Sequence, residues 1–397
     1  MFFIKKIGCR IFQTAFRVAL PILPYREPKI IPSCDKIGEV IKSEGASSVL
    51  VVTDAGIMKN GLTASLEEAL KKDEIEYVIY DKTQPNPTVD NVEEALKLYI
   101  DNNCRAIISI GGGSAMDCAK AVGARVAYPR RQVGQMGGVL RVLRAIPTLI
   151  AIPTTAGTGS EVTLAAVITD GEHKYALMSF PLIPKYAVLD PALTYTLPPR
   201  MTSTTGMDAL THAVEAYIGR STTRETRTLA LEATRLIFAN VERAYTNGED
   251  REARENMLHA AYKAGLAFSK SYVGYIHAVA HSLGGKYGIP HGLANSVIMP
   301  YVLDIYGKSA HKKLHRLGVA AGVCSENDRH SEGAEKFICA IRELNAKMDI
   351  PTGLSGIFEE DIPALARHAE KEANPLYPVP RLMTAKEIEV IYRQISK

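Results

Sequence analysis

Two residue pairs spaced four apart carry the most pointed chemistry in this sequence. Asp208 and His212 sit in Gly206-Met207-Asp208-Ala209-Leu210-Thr211-His212, and His277 and His281 in His277-Ala278-Val279-Ala280-His281. Residues i and i+4 share one helix face, so each pair presents both side chains together. Pro290-His291-Gly292 follows shortly after. Asp208, His212, His277 and His291 would supply one hard oxygen and three imidazoles, a set that suits divalent Fe, Zn, Ni or Co. Any one histidine is more often a packed or surface residue, but this grouping in apolar helices argues for a metal centre. His173, His259, His311, His315, His330 and His368 are scattered and keep the ordinary reading.

A second chemistry comes from glycine and hydroxyl turns. Gly111-Gly112-Gly113-Ser114 follows a strand-like run and opens a helical stretch, Ala115 to Val122. Glycines let the backbone approach a phosphate, and a helix N-terminus offers unpaired N–H groups. Neither the GxGxxG fingerprint nor the GxxxxGK[ST] loop fits here. Pro153-Thr154-Thr155-Ala156-Gly157-Thr158-Gly159-Ser160-Glu161 follows another apolar run, Leu149-Ile150-Ala151-Ile152. Two such turns at the carboxyl ends of strands in one sheet would line one crevice. Asp54 ends the first strand-like run. A carboxylate there can bond a ribose 2′-hydroxyl and repel a 2′-phosphate, favouring NAD over NADP, or it can simply cap a helix.

The elements that position these residues fall into two halves. Ser47 to Asp54, Tyr77 to Tyr80 and Ala106 to Ile110 read as buried strands, with helices through Leu62–Leu70 and Asp90–Asn103 between them. Strands that continuous suit a parallel sheet covered on both faces. After Pro198-Pro199 long helical patterns take over at 206–218, 223–246, 251–268 and 330–348. The expectation is an α/β, doubly wound domain over 1–199 and a helical domain over 200–397, and 397 residues are ample for two cores.

Composition narrows the classes. With 46% hydrophobic and 23% charged residues the chain is neither disordered nor fibrous. The 47 basic and 43 acidic residues nearly balance, and 7% aromatics with no Trp leave no base-stacking surface, so nucleic acid is not an expected partner. No apolar stretch approaches the length needed to cross a bilayer. Cys9, Cys34, Cys104, Cys118, Cys324 and Cys339 form no CxxC pair, which fits reduced thiols in a cytoplasmic protein. Residues 1–26 carry Lys5, Lys6, Arg10, Arg17 and Arg26 and no acid. Ile4, Ile7, Ile11, Phe12 and Ala15 recur at helical spacing, so an amphipathic helix is expected. Its apolar stripe is expected to pack on protein rather than insert in lipid, with the basic residues in water or against acidic groups of a neighbour; a membrane surface is the alternative, because basic amphipathic helices bind anionic lipid.

These motifs resemble the iron-containing (group III) alcohol dehydrogenase family over nearly the whole chain. The matching segments are Gly111–Ser114 with Asp117, Pro153–Thr163, Gly206–His212 and His277–Gly292. The resemblance implies an N-terminal α/β dinucleotide-binding domain and an all-α C-terminal metal-binding domain, a fold shared with dehydroquinate synthase. It implies that Asp208, His212, His277 and His291 bind a divalent metal, iron before zinc, with His281 beside the substrate as proton relay. It further implies NAD contacts from Asp54, Asn86, Gly112, Gly113, Ser114, Thr154, Thr155, Thr158, Val167, Lys174 and Leu193, and Asp117 is grouped with them. The implied reaction moves a hydride between NAD(H) and a small primary alcohol or diol, with the metal as Lewis acid. A homodimer or higher homo-oligomer is expected. The rival readings are a dehydroquinate synthase-like lyase and a non-catalytic NAD-binding assembly protein. Around Asp208 and His277 the residues are mostly Ala, Val, Leu, Gly and Tyr, which suits a small uncharged substrate better than the lyase's phosphate.

Overall fold

The computed structural model describes residues 2–171 and 173–397, with side chains for these except 2–5 and 21. The chain forms two compact units, residues 24–196 and a second made of residues up to 23 together with 197–397. The expected boundary near 199 moves by a few residues. The larger correction is that the first 23 residues join the helical unit and not the α/β one.

In the unit of residues 24–196 the strands are β1 (Lys29–Ile31), β2 (Ser48–Val52), β3 (Glu76–Tyr80), β4 (Ala106–Gly111), β5 (Gly138–Val139), β6 (Thr148–Pro153), β7 (Ala165–Asp170), β8 (His173–Met178) and β9 (Tyr186–Val188). Six of them form a sheet in the order β1-β9-β6-β4-β2-β3, parallel throughout. The order reverses between β2 and β4, a switch point where open α/β sheets bind ligands. Leu50, Val52 and Ile107 pack into one apolar layer, and Val49, Val51 and Ile108 into the other. That is the two-residue alternation of a sheet buried on both faces, and it explains the unbroken apolar runs. Cys104 and Cys118 lie in the first layer and Cys34 in the second. A small sheet, β5-β8-β7, was not expected from the sequence, because its polar β8 breaks the apolar signal.

Within the second unit, α1 (Phe2–Ala19) precedes the sheet; α2 (Ile37–Ser43), α3 (Ala55–Lys59), α4 (Ala64–Lys72), α5 (Val89–Asp101) and α6 (Gly113–Ala127) belong to the α/β unit. The helical unit continues with α7 (Pro199–Ile218), α8 (Arg224–Thr246), α9 (Arg251–Ser271), α10 (Tyr275–Tyr287), α11 (His291–Tyr306), α12 (His311–Ala320), α13 (His330–Lys347), α14 (Ile362–Ala373) and α15 (Ala385–Ile395). From Thr202 onward α7 is buried almost all round, and such a helix belongs inside a core.

Helix α1 docks by its polar face. Arg10 donates to Val379 O at 2.7 Å and Pro380 O at 3.0 Å, and Gln13 Nε2 donates to Tyr377 O at 2.7 Å. Ser221 Oγ donates to Gln13 O, and Phe16 meets the Tyr272 ring edge-on. Ile7 and Ile11 are exposed instead of packed, which reverses the expected arrangement, while Ile4 lies outside the described side chains. The backbone carbonyls of 375–380 need donors, and Arg10 and Gln13 supply them; that demand overrides the apolar stripe.

Candidate metal centre and cofactor turns

Three helices converge on one point of the helical unit. Asp208 and His212 lie on successive turns of α7, His277 lies in the first turn of α10, and His291 opens α11. One ligand atom from each of these four residues lies within 4.8 Å of the others. The His212 and His277 rings stack with centroids 4.7 Å apart, and His277 and His291 are 5.3 Å apart. Asn295 Nδ2 donates to Asp208 Oδ1 at 2.7 Å and lies 3.1 Å from His291 Nε2, bracing the two sides.

Glu215 orients the centre from behind. Its carboxylate accepts the N–H groups of Gly274 at 2.7 Å and Ile276 at 2.8 Å, and Oε2 lies 2.7 Å from His277 Nδ1. A side chain at Gly274 would place its Cβ 2.6 Å from Glu215 Oε1, so only glycine permits this approach. With Nδ1–H held by the carboxylate, Nε2 is the donor atom facing the cluster, and it is buried without a hydrogen-bond partner. Burial pushes the Glu215 carboxyl up to about 8, with nearby Asp208 adding to the rise. Burial, then the surrounding imidazoles, hold His277 well below the ordinary range, so its ring is neutral. Two buried carboxyl groups with no Lys or Arg paired to them among the described residues, and the neutral His277 with its orphaned nitrogen, fit a cation. Glu215→Gln is expected to weaken metal binding roughly 10–100-fold, as for other groups behind a ligand histidine. Competition with a chelator measures this, and unchanged affinity would remove Glu215 from the centre.

His281 stands beside the four with a different partner. Its ring centroid is 5.2 Å from that of His291, and Nδ1 lies 2.7 Å from Glu372 Oε1, which also accepts the Tyr377 hydroxyl. Burial works against ionisation of Glu372, yet His281 and Tyr377 overcome it and keep the carboxyl below its ordinary value. A charged Glu372 fixes the proton on His281 Nδ1 and leaves Nε2 to exchange one.

The cofactor candidates gather at the carboxyl ends of adjacent strands in the α/β unit. Asp54 follows β2, Gly112 to Ser114 follow β4, and Thr154 and Thr155 follow β6. Asp54 Oδ1 caps α3 through Gly56 N and Ile57 N, so the helix-cap reading holds for that oxygen. Gly112 is the N-cap of α6. The two turns touch, since a Cβ at Gly113 would sit 3.2 Å from Thr158 Cγ2. Asn86 N donates to Ser114 Oγ, and Lys174 donates to Asn86 Oδ1 at 2.7 Å, which brings these three together. Leu193 is buried in the second apolar layer, and Val167 lies on β7.

Beneath the turns lies a buried charged group that the sequence did not reveal. Lys120 donates to Ser160 Oγ, Thr163 Oγ1 and Ala165 O, all within 2.9 Å. Asp117 accepts Ser160 Oγ–H at 2.9 Å and Val167 N–H at 3.0 Å, so its carboxylate braces the turn from within the protein. Burial lowers Lys120 to about 8 and raises Glu161 to about 7. The folded protein therefore keeps the Glu161 proton from its ordinary carboxyl range up to about pH 7, where the unfolded chain has lost it. The folded state binds more protons in that window, so stability falls as pH rises through it. Glu161→Gln should flatten this fall in a plot of melting temperature against pH. A slope identical to the parent's would show that Glu161 is ionised throughout.

Comparison with known proteins decides the lineage. The iron-containing alcohol dehydrogenase family model matches residues 32–191, and the C-terminal model of the Fe-containing alcohol dehydrogenase family matches residues 202–396. The chain belongs to the iron-containing alcohol dehydrogenase family. It is 39% identical over 345 residues to alcohol dehydrogenase 4 of Saccharomyces cerevisiae, spanning 85% of this chain and 88% of the yeast one. It is 36% identical over 364 residues to 1,3-propanediol dehydrogenase of Klebsiella pneumoniae, covering 90% and 94%. The crystal structure of a 1,3-propanediol oxidoreductase superposes with a TM-score of 0.90 at 36% identity, covering 94% of this chain and 99% of that one. The protein is thus an alcohol dehydrogenase that uses NAD and a divalent metal, and neither rival reading is favoured. The family match starts at residue 32, so α1 lies ahead of it.

Some groups at the site were missed from sequence. Glu215 falls one turn beyond His212 on the same face of α7, a spacing that could have flagged it. Asn295 likewise stands four residues after His291. Glu372 is 91 residues from His281, and no local signal marks it.

Proposed function

We propose that Asp208, His212, His277 and His291 hold the metal ion, iron before zinc, and that the substrates are short primary alcohols and diols with their aldehydes. The observation that carries this reading is the convergence of the four donors, with His277 Nε2 buried and unpartnered while Glu215 fixes Nδ1. An ion held there would supply Lewis-acid polarisation of the alcohol oxygen, and NAD, when bound, would supply the hydride acceptor. Asp208 brings the single formal negative charge among the four ligands. Asn295 holds that carboxylate in place, and Glu215 keeps the His277 tautomer. His281 takes up the alcohol proton at Nε2, and the charged Glu372 stabilises the imidazolium that results.

On the cofactor side, Asp54, Asn86, Gly112, Gly113, Ser114, Thr154, Thr155, Thr158, Val167, Lys174 and Leu193 are assigned to NAD, with Asp117 as a brace for the 158–160 turn. Asp54→Asn keeps the α3 cap but removes the charge, so the ratio of kcat/KM for NAD over NADP should fall. A parent enzyme that prefers NADP would overturn the assignment. The protein is read as a cytoplasmic homodimer. No helix among the described residues is long and apolar enough to cross a membrane.

The test of the whole reading is metal analysis of anaerobically purified protein, together with NADH absorbance against a panel of alcohols, propanediols and aldehydes. One ion per chain and turnover of short primary substrates are expected. A metal-free protein that remains fully active would refute it.

A further inference from the structure

The outer face of α1 is apolar, basic at its flank, and left exposed by the described residues of the unit. Ile7 is 45% exposed, Ile11 65% and Val18 73%; in the following turn Ile22 is 83% exposed. With Ala15 these residues are spaced four, four, three and four apart, so they form one stripe along the helix. Arg10, Gln13 and Phe16 hold the opposite side against 375–380, Ser221 and Tyr272, so the stripe is fixed facing outward. A groove of about 610 Å³ runs along it, lined by Lys6, Ile7, Arg10, Ile11, Thr14 and Ala15.

Charge selects what covers this face. Lys6, Arg10 and Arg17 lie along one flank of the stripe, and residues 1–26 contain no acid. The positive field extends into the body of the unit. Lys313 is half-buried beside the end of α7, donating to Ile218 O, and desolvation followed by the guanidinium groups of Arg227, Arg220 and Arg17 pushes its ammonium down to about 8. A second copy seated on this face with its first helix antiparallel would bring the same basic flank against itself, which like-charge repulsion disfavours. An apolar stripe with a cationic flank is the pattern of a helix that lies in the interface of an anionic bilayer.

We propose that α1 is a docking face for an anionic lipid surface, held in place by Arg10 and Gln13 so that Ile7, Ile11, Val18 and Ile22 enter the headgroup region while Lys6 and Arg17 meet the phosphates. The enzyme then works as a peripheral protein at the membrane surface. This inference stands apart from the catalytic assignments above.

Flotation of the full-length, metal-loaded enzyme tests it. Vesicles of phosphatidylcholine mixed with phosphatidylglycerol are compared with phosphatidylcholine alone, at low and raised salt. The parent should float with the anionic vesicles, and roughly tenfold less with neutral ones or at raised salt. Ile11→Glu/Val18→Glu changes two exposed residues, so dehydrogenase activity and melting temperature should stay at parent values while flotation falls roughly tenfold. Absence of flotation by the parent overturns the proposal, and so does equal flotation of parent and double variant. If the parent stays in solution and the double variant loses an oligomer on size exclusion, a second copy covers the stripe and the lipid proposal is wrong.

Discussion

His277→Ala is expected to yield a folded protein that has lost its tightly held metal ion and nearly all turnover. Alanine suits the first turns of α10, and Glu215 would still accept Gly274 N and Ile276 N, so the helix start keeps its two backbone bonds. What disappears is His277 Nε2, an imidazole nitrogen that is buried, oriented through Glu215 and without a hydrogen-bond partner. Three remaining ligands leave a weak, misshapen site. Lewis-acid polarisation is worth several kcal/mol, and each ~1.4 kcal/mol is tenfold, so turnover should fall roughly 10³-fold or more. Metal content by mass spectrometry and NADH absorbance read the two effects separately. Full occupancy with near-parental rate would show that the ion is held elsewhere.

His281→Ala should separate proton transfer from metal binding. His281 shares a helix face with His277, yet its Nδ1 is committed to Glu372, away from the ligand set. The variant is therefore expected to keep its metal and lose roughly 10²–10⁴-fold in turnover, the range for a missing proton-transfer group. Added imidazole should restore part of the rate, because a small base can fill the space left by the ring. Loss of metal in this variant would move His281 among the ligands, and an unchanged rate would leave it as a packing residue.

The sequence made the metal centre more legible than the scaffold around it. Asp208 with His212 and His277 with His281 are local pairs, and helical geometry alone puts each pair on one face. The strands β2, β3 and β4 were legible for a related reason, since burial on both sides leaves nothing but apolar residues. What was hidden depends on contacts made far along the chain. Glu372 meets His281 only after α14 has folded back, and Lys120 reads as an ordinary surface lysine of α6 until Ser160 and Thr163 pack over it. The hairpin of β7 and β8 carries polar residues on a strand that propensity disfavours. Residues 1–23 were misjudged for a physical reason. Apolar periodicity predicts which face a helix buries only when the partner surface is apolar, and the carbonyls of 375–380 are not.

The docking of α1 also sets an order of events during synthesis. Gln13 leaves the ribosome early, whereas Tyr377, whose carbonyl it binds, lies 364 residues downstream. At ~5–20 residues per second the interval is roughly 20–70 s. In the second half of it the sheet of residues 24–196 has all its strands available and can close, while the first helix has no seat. The earliest element made is thus among the last to be placed, and for that time its apolar side chains are available to whatever binds nascent chains, a chaperone or a bilayer included.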